Sequence, residues 1–235
     1  MFSPLDREVY LFYCKQNGCA KTLASLHRLL SERELASINE LTSPRLVPDY
    51  VFGKVIPRLL LRFLSGRPAE IKPDIKTGKP RLIGGSGFNF NLAHSLGHLL
   101  VGISIGMDVG VDIEAIASEV TAVSAAPAFI SAKEMRLLDK TSPGYARAVL
   151  RLWTIKEASA KLSGAGICED FCKLDFSTIL ASGTAFSRIS GMWVATPYVS
   201  RDVSAAVAAS NKPTEIAVYT LRFDTCCLKM MSVIR

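Results

Sequence analysis

The chain has 235 residues, 49% of them hydrophobic and 21% charged, with a net charge of +7. That length accommodates one large domain or two of about 110 residues, and the composition excludes a disordered or fibrous polymer. Asp6, Arg7 and Glu8 interrupt the apolar start and no apolar run reaches bilayer-spanning length, so neither a secretory leader nor a membrane partner is expected and the chain reads as cytoplasmic.

The pI near 9.2 suits an acidic partner, but Lys and Arg are dispersed, without the basic run of a nucleic-acid arm, and no nucleic acid is expected. Cys14, Cys19, Cys168, Cys172, Cys226 and Cys227 form no CxxC pair, so reduced thiols are the better reading and a structural zinc site is not expected.

In chain order, Val9 to Tyr13 reads as a short strand. Ser31 and Glu34 are spaced as a capping box that opens a helix to about Leu41. Asp49 to Leu64 has helical periodicity with Lys54, Arg58 and Arg62 in one basic stripe, and Pro57 predicts a kink or a later start. Pro68 to Ser86 reads as loop, and the glycine cluster at 84–87 as a turn, matching neither GxGxxG nor the P-loop spacing. Leu99 to Ile105 and Val109 to Glu114 read as strands. Ser131 and Glu134 form a second possible capping box, and Ser142-Pro143 opens a helix that stops at Gly164. Lys173 to Phe176, Ser187 to Ala195, Val203 to Ala209 and Glu215 to Phe223 have β character. Leu99 to Ile105 and Val203 to Ala209 each follow a long helix. The expected fold is therefore α+β in two similar halves, residues 1–107 and 108–235, meeting near residues 107–112.

Three elements carry chemistry. In Val109-Gly110-Val111-Asp112-Ile113-Glu114 the apolar residues alternate with the rest, so Asp112 and Glu114 project from one strand face. Adjacent carboxylates invite a hard divalent cation; a solvated strand end is the ordinary alternative. Trp153, Glu157 and Lys161 follow at i, i+4 spacing on one helix face with Lys156 beside it, where a surface Glu–Lys pair is the ordinary alternative. Phe90-Asn91-Leu92-Ala93-His94-Ser95 precedes the strand from Leu99. His94 and His98 lack a third zinc ligand, which leaves a satisfied histidine at a strand start or phosphate contacts from His94 and Ser95.

Together, Asp112-x-Glu114, Trp153-Thr154-Ile155-Lys156-Glu157 with Lys161, and Phe90-Asn91-Leu92-Ala93-His94-Ser95 resemble the ordered signature of the 4'-phosphopantetheinyl transferases, in particular the larger Sfp-type enzymes. Gly78-Lys79-Pro80 and Phe52-Gly53-Lys54 extend the resemblance, which covers residues 30–210 or so. It implies a pseudo-twofold α+β fold with the active site between the halves, in a chain that works as a monomer. It also implies coenzyme A and Mg²⁺ as ligands, and transfer of the phosphopantetheine arm to a serine of an apo acyl, peptidyl or aryl carrier protein with release of 3',5'-ADP, the holo-[acyl-carrier-protein] synthase type of reaction. Carried over by position, Asp112, Glu114 and Glu157 would hold the metal. Glu157 would accept the attacking serine's proton. His94, Ser95, Lys156 and Lys161 would stand near the pyrophosphate, Lys161 also stabilising the leaving group. Lys79 and Pro80 would line the adenine side, and Lys54 the 3'-phosphate region.

Charge arithmetic agrees: three carboxylates (−3) and Mg²⁺ (+2) leave −1, so a bound pyrophosphate needs the nearby lysines. Two positions depart from the family pattern. Ala93 replaces a serine whose hydroxyl could bond phosphate, and Lys54 replaces the usual arginine and its bidentate fork. The competing readings are a non-catalytic relative that binds coenzyme A or a carrier protein, and a Mg²⁺-dependent phosphohydrolase using the same carboxylates.

Overall fold

The computed structural model describes residues 8–16, 20–84, 87–164, 166, 172–182, 187–224 and 227–234. Strand β1 (Glu8–Lys15) leads into helices α1 (Ala20–His27), α2 (Glu32–Ile38) and α3 (Val47–Ser65), then into hairpins β2 (Glu70–Pro73) with β3 (Pro80–Ile83) and β4 (Phe88–Ser95) with β5 (His98–Ile105). There follow β6 (Val109–Ala115), α4 (Glu119–Phe129), α5 (Ala132–Leu137), α6 (Tyr145–Ser163) and α7 (Ser177–Ser182). The last elements are β7 (Ser187–Ile189), β8 (Met192–Ala195), β9 (Val203–Ala209), β10 (Glu215–Asp224) and β11 (Cys227–Ile234). The fold is α+β.

Two sheets pack face to face between helices. One has the order β11-β10-β1-β5-β4, the other β6-β9-β8-β7, and among the described residues only β1 with β10 runs parallel. Val9 through Cys14 is apolar and buried throughout because β1 is covered on both faces. Tyr10, Phe12 and Cys14 pack with Val51, Phe52, Val55 and Ile56 of α3, while Val9, Leu11 and Tyr13 meet Val109, Val111, Ile113 and Val207 of the second sheet. On the far side Ala206 and Ala208 pack with Leu150 and Ile155 of α6 and Phe129 of α4. The layers run α3, five-stranded sheet, four-stranded sheet, α6 with α4. Strands β10 and β11, which belong to the expected second half by sequence, complete the sheet built on β1.

Both capping boxes form, at Ser31/Glu34 and Ser131/Glu134. Other expectations are corrected. Helix α3 starts at Val47 and runs through Pro57, the lost backbone bond being outweighed by a buried face that includes Val55, Ile56, Leu60 and Leu61. Among the described residues, α1, α4 and α7 have no counterpart among the expected helices. The segment read as loop before the glycine cluster contains the β2–β3 hairpin, and Gly85 and Ser86 lie outside the described residues. Helix α6 begins at Tyr145 behind Gly144 rather than behind Ser142. Ser187 to Ala195 is two strands, folded back at Ser190 and Gly191, both with positive φ. Lys173 to Phe176 is not a strand: the Leu174 carbonyl and the Phe176 amide bond to the side chains of Lys156 and Glu134. Among the described residues no helix is long and apolar enough to cross a membrane.

Candidate functional site

Strand β6 turns Val109, Val111 and Ile113 to the first sheet, which leaves Gly110, Asp112 and Glu114 facing α6. Gly110 makes the approach possible: a Cβ there would land on the Ala158 carbonyl oxygen and the Leu162 amide of α6. Across this contact the Lys161 ammonium meets Asp112 Oδ1 at 2.6 Å, with Asp112 only 3% exposed. Asp112 Oδ2 and Glu157 Oε1 are buried and accept no hydrogen bond. Burial pushes the Asp112 carboxyl up to about 7 against the pull of Lys161, with Glu114 and Glu157 adding repulsion. Burial also raises Glu157, again opposed by Lys161 and reinforced by Glu114.

Glu114 is held by neutral donors. Ser95 donates to its Oε2 at 2.6 Å and Trp153 Nε1 to its Oε1 at 3.3 Å. The three carboxylates thus share one neighbourhood, yet among the described residues no group of three or more metal-type side chains is already drawn together around a point.

Edge strands β4 and β6 are stitched by side chains. Asn91 Oδ1 accepts the Val111 amide at 3.0 Å, and Ser95 Oγ accepts the Ala115 amide at 3.2 Å. Residues 91, 93 and 95 lie on one strand face, so Ala93 is buried against Leu100, Val111 and Ile113. Its missing hydroxyl therefore leaves no gap in the cavity described next.

A cavity of about 480 Å³ adjoins Asp112 through Lys161, which lines it, while none of the three carboxylates is part of its wall. Asp49, Tyr50 and Lys54 of α3 form one wall, the turn from Thr77 to Pro80 another, and Leu92 and His94 of β4 with Lys161 and Gly164 the rest. Lys54 lies over the Tyr50 ring at 5.6 Å, whereas Arg58 of the same stripe pairs with Glu34 at 3.1 Å. His94 is about half exposed, 3.9 Å from Asp49, while His98 is buried and bonded to Tyr13 at 2.8 Å, so the two histidines do not form a pair. Pro80 lines the cavity. Lys79 does too, but its ammonium turns inward to the Val109 carbonyl at 2.9 Å and the Leu162 carbonyl at 3.5 Å, and burial lowers its pKa. Lys79 thereby straps the β2–β3 turn to β6 and to the end of α6.

The structure places Lys156 elsewhere. It is fully buried on another face of α6, 3.0 Å from an equally buried Glu134. The expected pyrophosphate contact does not fit that position. Ser95 likewise spends its hydroxyl on Glu114 and the Ala115 amide. Asn91, Gly110 and Glu134 had no role assigned from sequence. Glu134 was visible only as half of a capping box, and Asn91 and Gly110 only as letters inside motifs.

Comparison with known proteins decides the family. A sequence description of the 4'-phosphopantetheinyl transferase superfamily matches residues 108–209. Over 171 residues the chain is 30% identical to the 4'-phosphopantetheinyl transferase HetI of Nostoc sp., covering 70% of this chain and 72% of that protein. The chain belongs to the 4'-phosphopantetheinyl transferase superfamily. The matched transferase region contains Asp112, Glu114, Glu157 and Lys161, while the cavity residues Lys54, Lys79, Pro80 and His94 lie upstream of it.

Proposed function

We propose that this phosphopantetheinyl transferase moves the 4'-phosphopantetheine arm of coenzyme A onto a serine of an apo acyl, peptidyl or aryl carrier protein, as a holo-[acyl-carrier-protein] synthase does. The observation that carries the proposal is a cavity lined by Lys54, His94 and Lys161 in which Lys161 also bonds the buried Asp112, one of a carboxylate group two of whose oxygens have no hydrogen-bond partner.

Those oxygens and the all-carboxylate donor set fit a hard divalent ion in their chemistry. Asp112, Glu114 and Glu157 would hold Mg²⁺, which when bound would neutralise phosphate oxygens. The chain's own residues do the rest. The cavity takes coenzyme A, with Lys54 toward the 3'-phosphate, Pro80 and the backbone at Lys79 toward the adenine, and His94 and Lys161 toward the pyrophosphate. The serine oxygen forms a bond to the phosphorus bearing the pantetheine arm as the bond from that phosphorus to 3',5'-ADP breaks. Glu157, its pKa raised by burial, takes the serine proton. Lys161 offsets charge on the departing 5'-phosphate of 3',5'-ADP. No phosphate contact is assigned to Lys156.

The two halves are proposed to be related by a pseudo-twofold with the site between them, in a monomer. Two matching features support this: α3 and α6 are each 19 residues long, and each ends on a left-handed glycine, Gly66 and Gly164.

The test is intact-mass measurement after incubation with coenzyme A, Mg²⁺ and a panel of apo-carriers. Transfer adds about 340 Da to one serine. Coenzyme A binding with no transfer to any carrier would favour a non-catalytic relative. Pyrophosphate cleavage without an acceptor would favour a hydrolase. Either outcome overturns the proposal.

A further inference from the structure

We infer that the Lys156–Glu134 pair is a positioning device that fixes the rotation of α6, and with it the placement of Glu157 and Lys161. Both side chains are 0% exposed and 3.0 Å apart. Glu134 accepts two backbone amides besides, Ser131 at 2.6 Å and Phe176 at 2.8 Å. Lys156 donates to the Leu174 carbonyl at 2.7 Å and lies over the Phe176 ring. The pair therefore joins three pieces of chain: the start of α5, the middle of α6, and residues 174–176. The stretch leaving α6 contributes Gly164 and Gly166 to the cavity wall before the chain reaches that anchor.

The geometry makes the pair a natural fulcrum. At 3.6 residues per turn, Lys156 points about 100° round the helix from Glu157 and about 140° from Lys161. A small rotation at the anchor thus moves both working side chains. Leu152, Ile155 and Ala158 also bury α6, but apolar contacts tolerate a slide that a hydrogen-bonded charge pair does not. A buried ion pair is a weak source of net stability, since desolvation consumes most of the attraction. Its worth here lies in fixing one arrangement.

The inference rests on the transfer reading only for what Glu157 and Lys161 do, and its test separates the two. The full chain carrying Lys156→Met with Glu134→Gln removes both charges while keeping an acceptor for the Phe176 amide. Hydrogen exchange of the amides from 157 to 161 is expected to rise about tenfold, with exchange in β1 and β5 unchanged. The transfer rate is expected to fall about thirtyfold, yet to change less than about threefold when the pair is removed from Glu157→Gln protein, because both act through the same group. Unchanged exchange in α6, or losses that multiply, would overturn the inference. Should the double variant not fold, Glu134→Gln alone faces the same two measurements. Should the wild-type chain transfer nothing, the transfer reading fails, and the exchange result alone decides the positioning role.

Discussion

The Ser95 hydroxyl donates to Glu114 at 2.6 Å and simultaneously accepts the Ala115 amide at 3.2 Å, so one side chain sets both the carboxylate and the strand that bears it. Trp153 holds the other Glu114 oxygen from α6. Glu114 is thereby held in one orientation through both of its oxygens.

Ser95→Ala is expected to raise the Mg²⁺ concentration for half-maximal transfer about tenfold while leaving coenzyme A affinity within about threefold. A metal titration of the transfer rate beside calorimetry of coenzyme A checks this. A fall in coenzyme A affinity with normal metal dependence would return Ser95 to a phosphate contact.

Lys161→Met strands Asp112 in a buried site and is expected to cost about 2 kcal/mol of stability by urea denaturation. Adding Asp112→Asn should restore most of that loss without restoring activity. If stability stays low in the double variant, the ion pair is not what Lys161 contributes to the fold.

The Asp112 carboxyl sits at about 7 in the folded chain against an ordinary 3.8. A raised carboxyl favours the folded state while it is protonated. That contribution is complete below about pH 4 and is lost as pH rises through about 7. In metal-free protein, the melting temperature of wild type relative to Asp112→Asn should therefore fall between pH 4 and 7 and then level off, and Mg²⁺ at pH 7.5 should raise wild type alone. A flat difference across that range contradicts the assignment.

Gly110→Ala is expected to destabilise the chain by about 3 kcal/mol or more, because the new methyl meets backbone of α6, which cannot step aside as a side chain can. Thermal unfolding of the purified variant measures it, and a loss under about 1 kcal/mol would mean that β6 and α6 part easily.

Much of the site was legible because its parts obey local periods. The two-residue alternation at Asp112 and Glu114 and the four-residue spacing of Trp153, Glu157 and Lys161 each need only one element to be right. What stayed hidden depends on contacts between elements. The side chain of Lys156 is next to Glu157 in sequence, but whether it faces ligand or core turns on a partner at Glu134, 22 positions away. Lys79 reads as a cavity residue on the adenine side until the carbonyls of Val109 and Leu162 are seen beside its ammonium. The β2–β3 hairpin was missed because Pro73, Pro80 and nearby glycine carry strong turn signals, which a short two-stranded ribbon tolerates at its ends. Expectations for β1 held since both of its faces are apolar; nothing local in it says which strand, 200 residues on, lies beside it.

That last relationship bears on how the molecule is made. β1 takes β5 (ending at Ile105) on one edge, but its other edge waits for β10, with Glu8 pairing to Glu215. During translation an apolar strand edge stays open until the segment from residue 215 has left the ribosome, a site for mispairing in the interim. The pairing of such distant segments is also the slow kind of contact to form. Synthesis of β10, rather than pairing of β1 with β5, is the moment at which the five-stranded sheet can close.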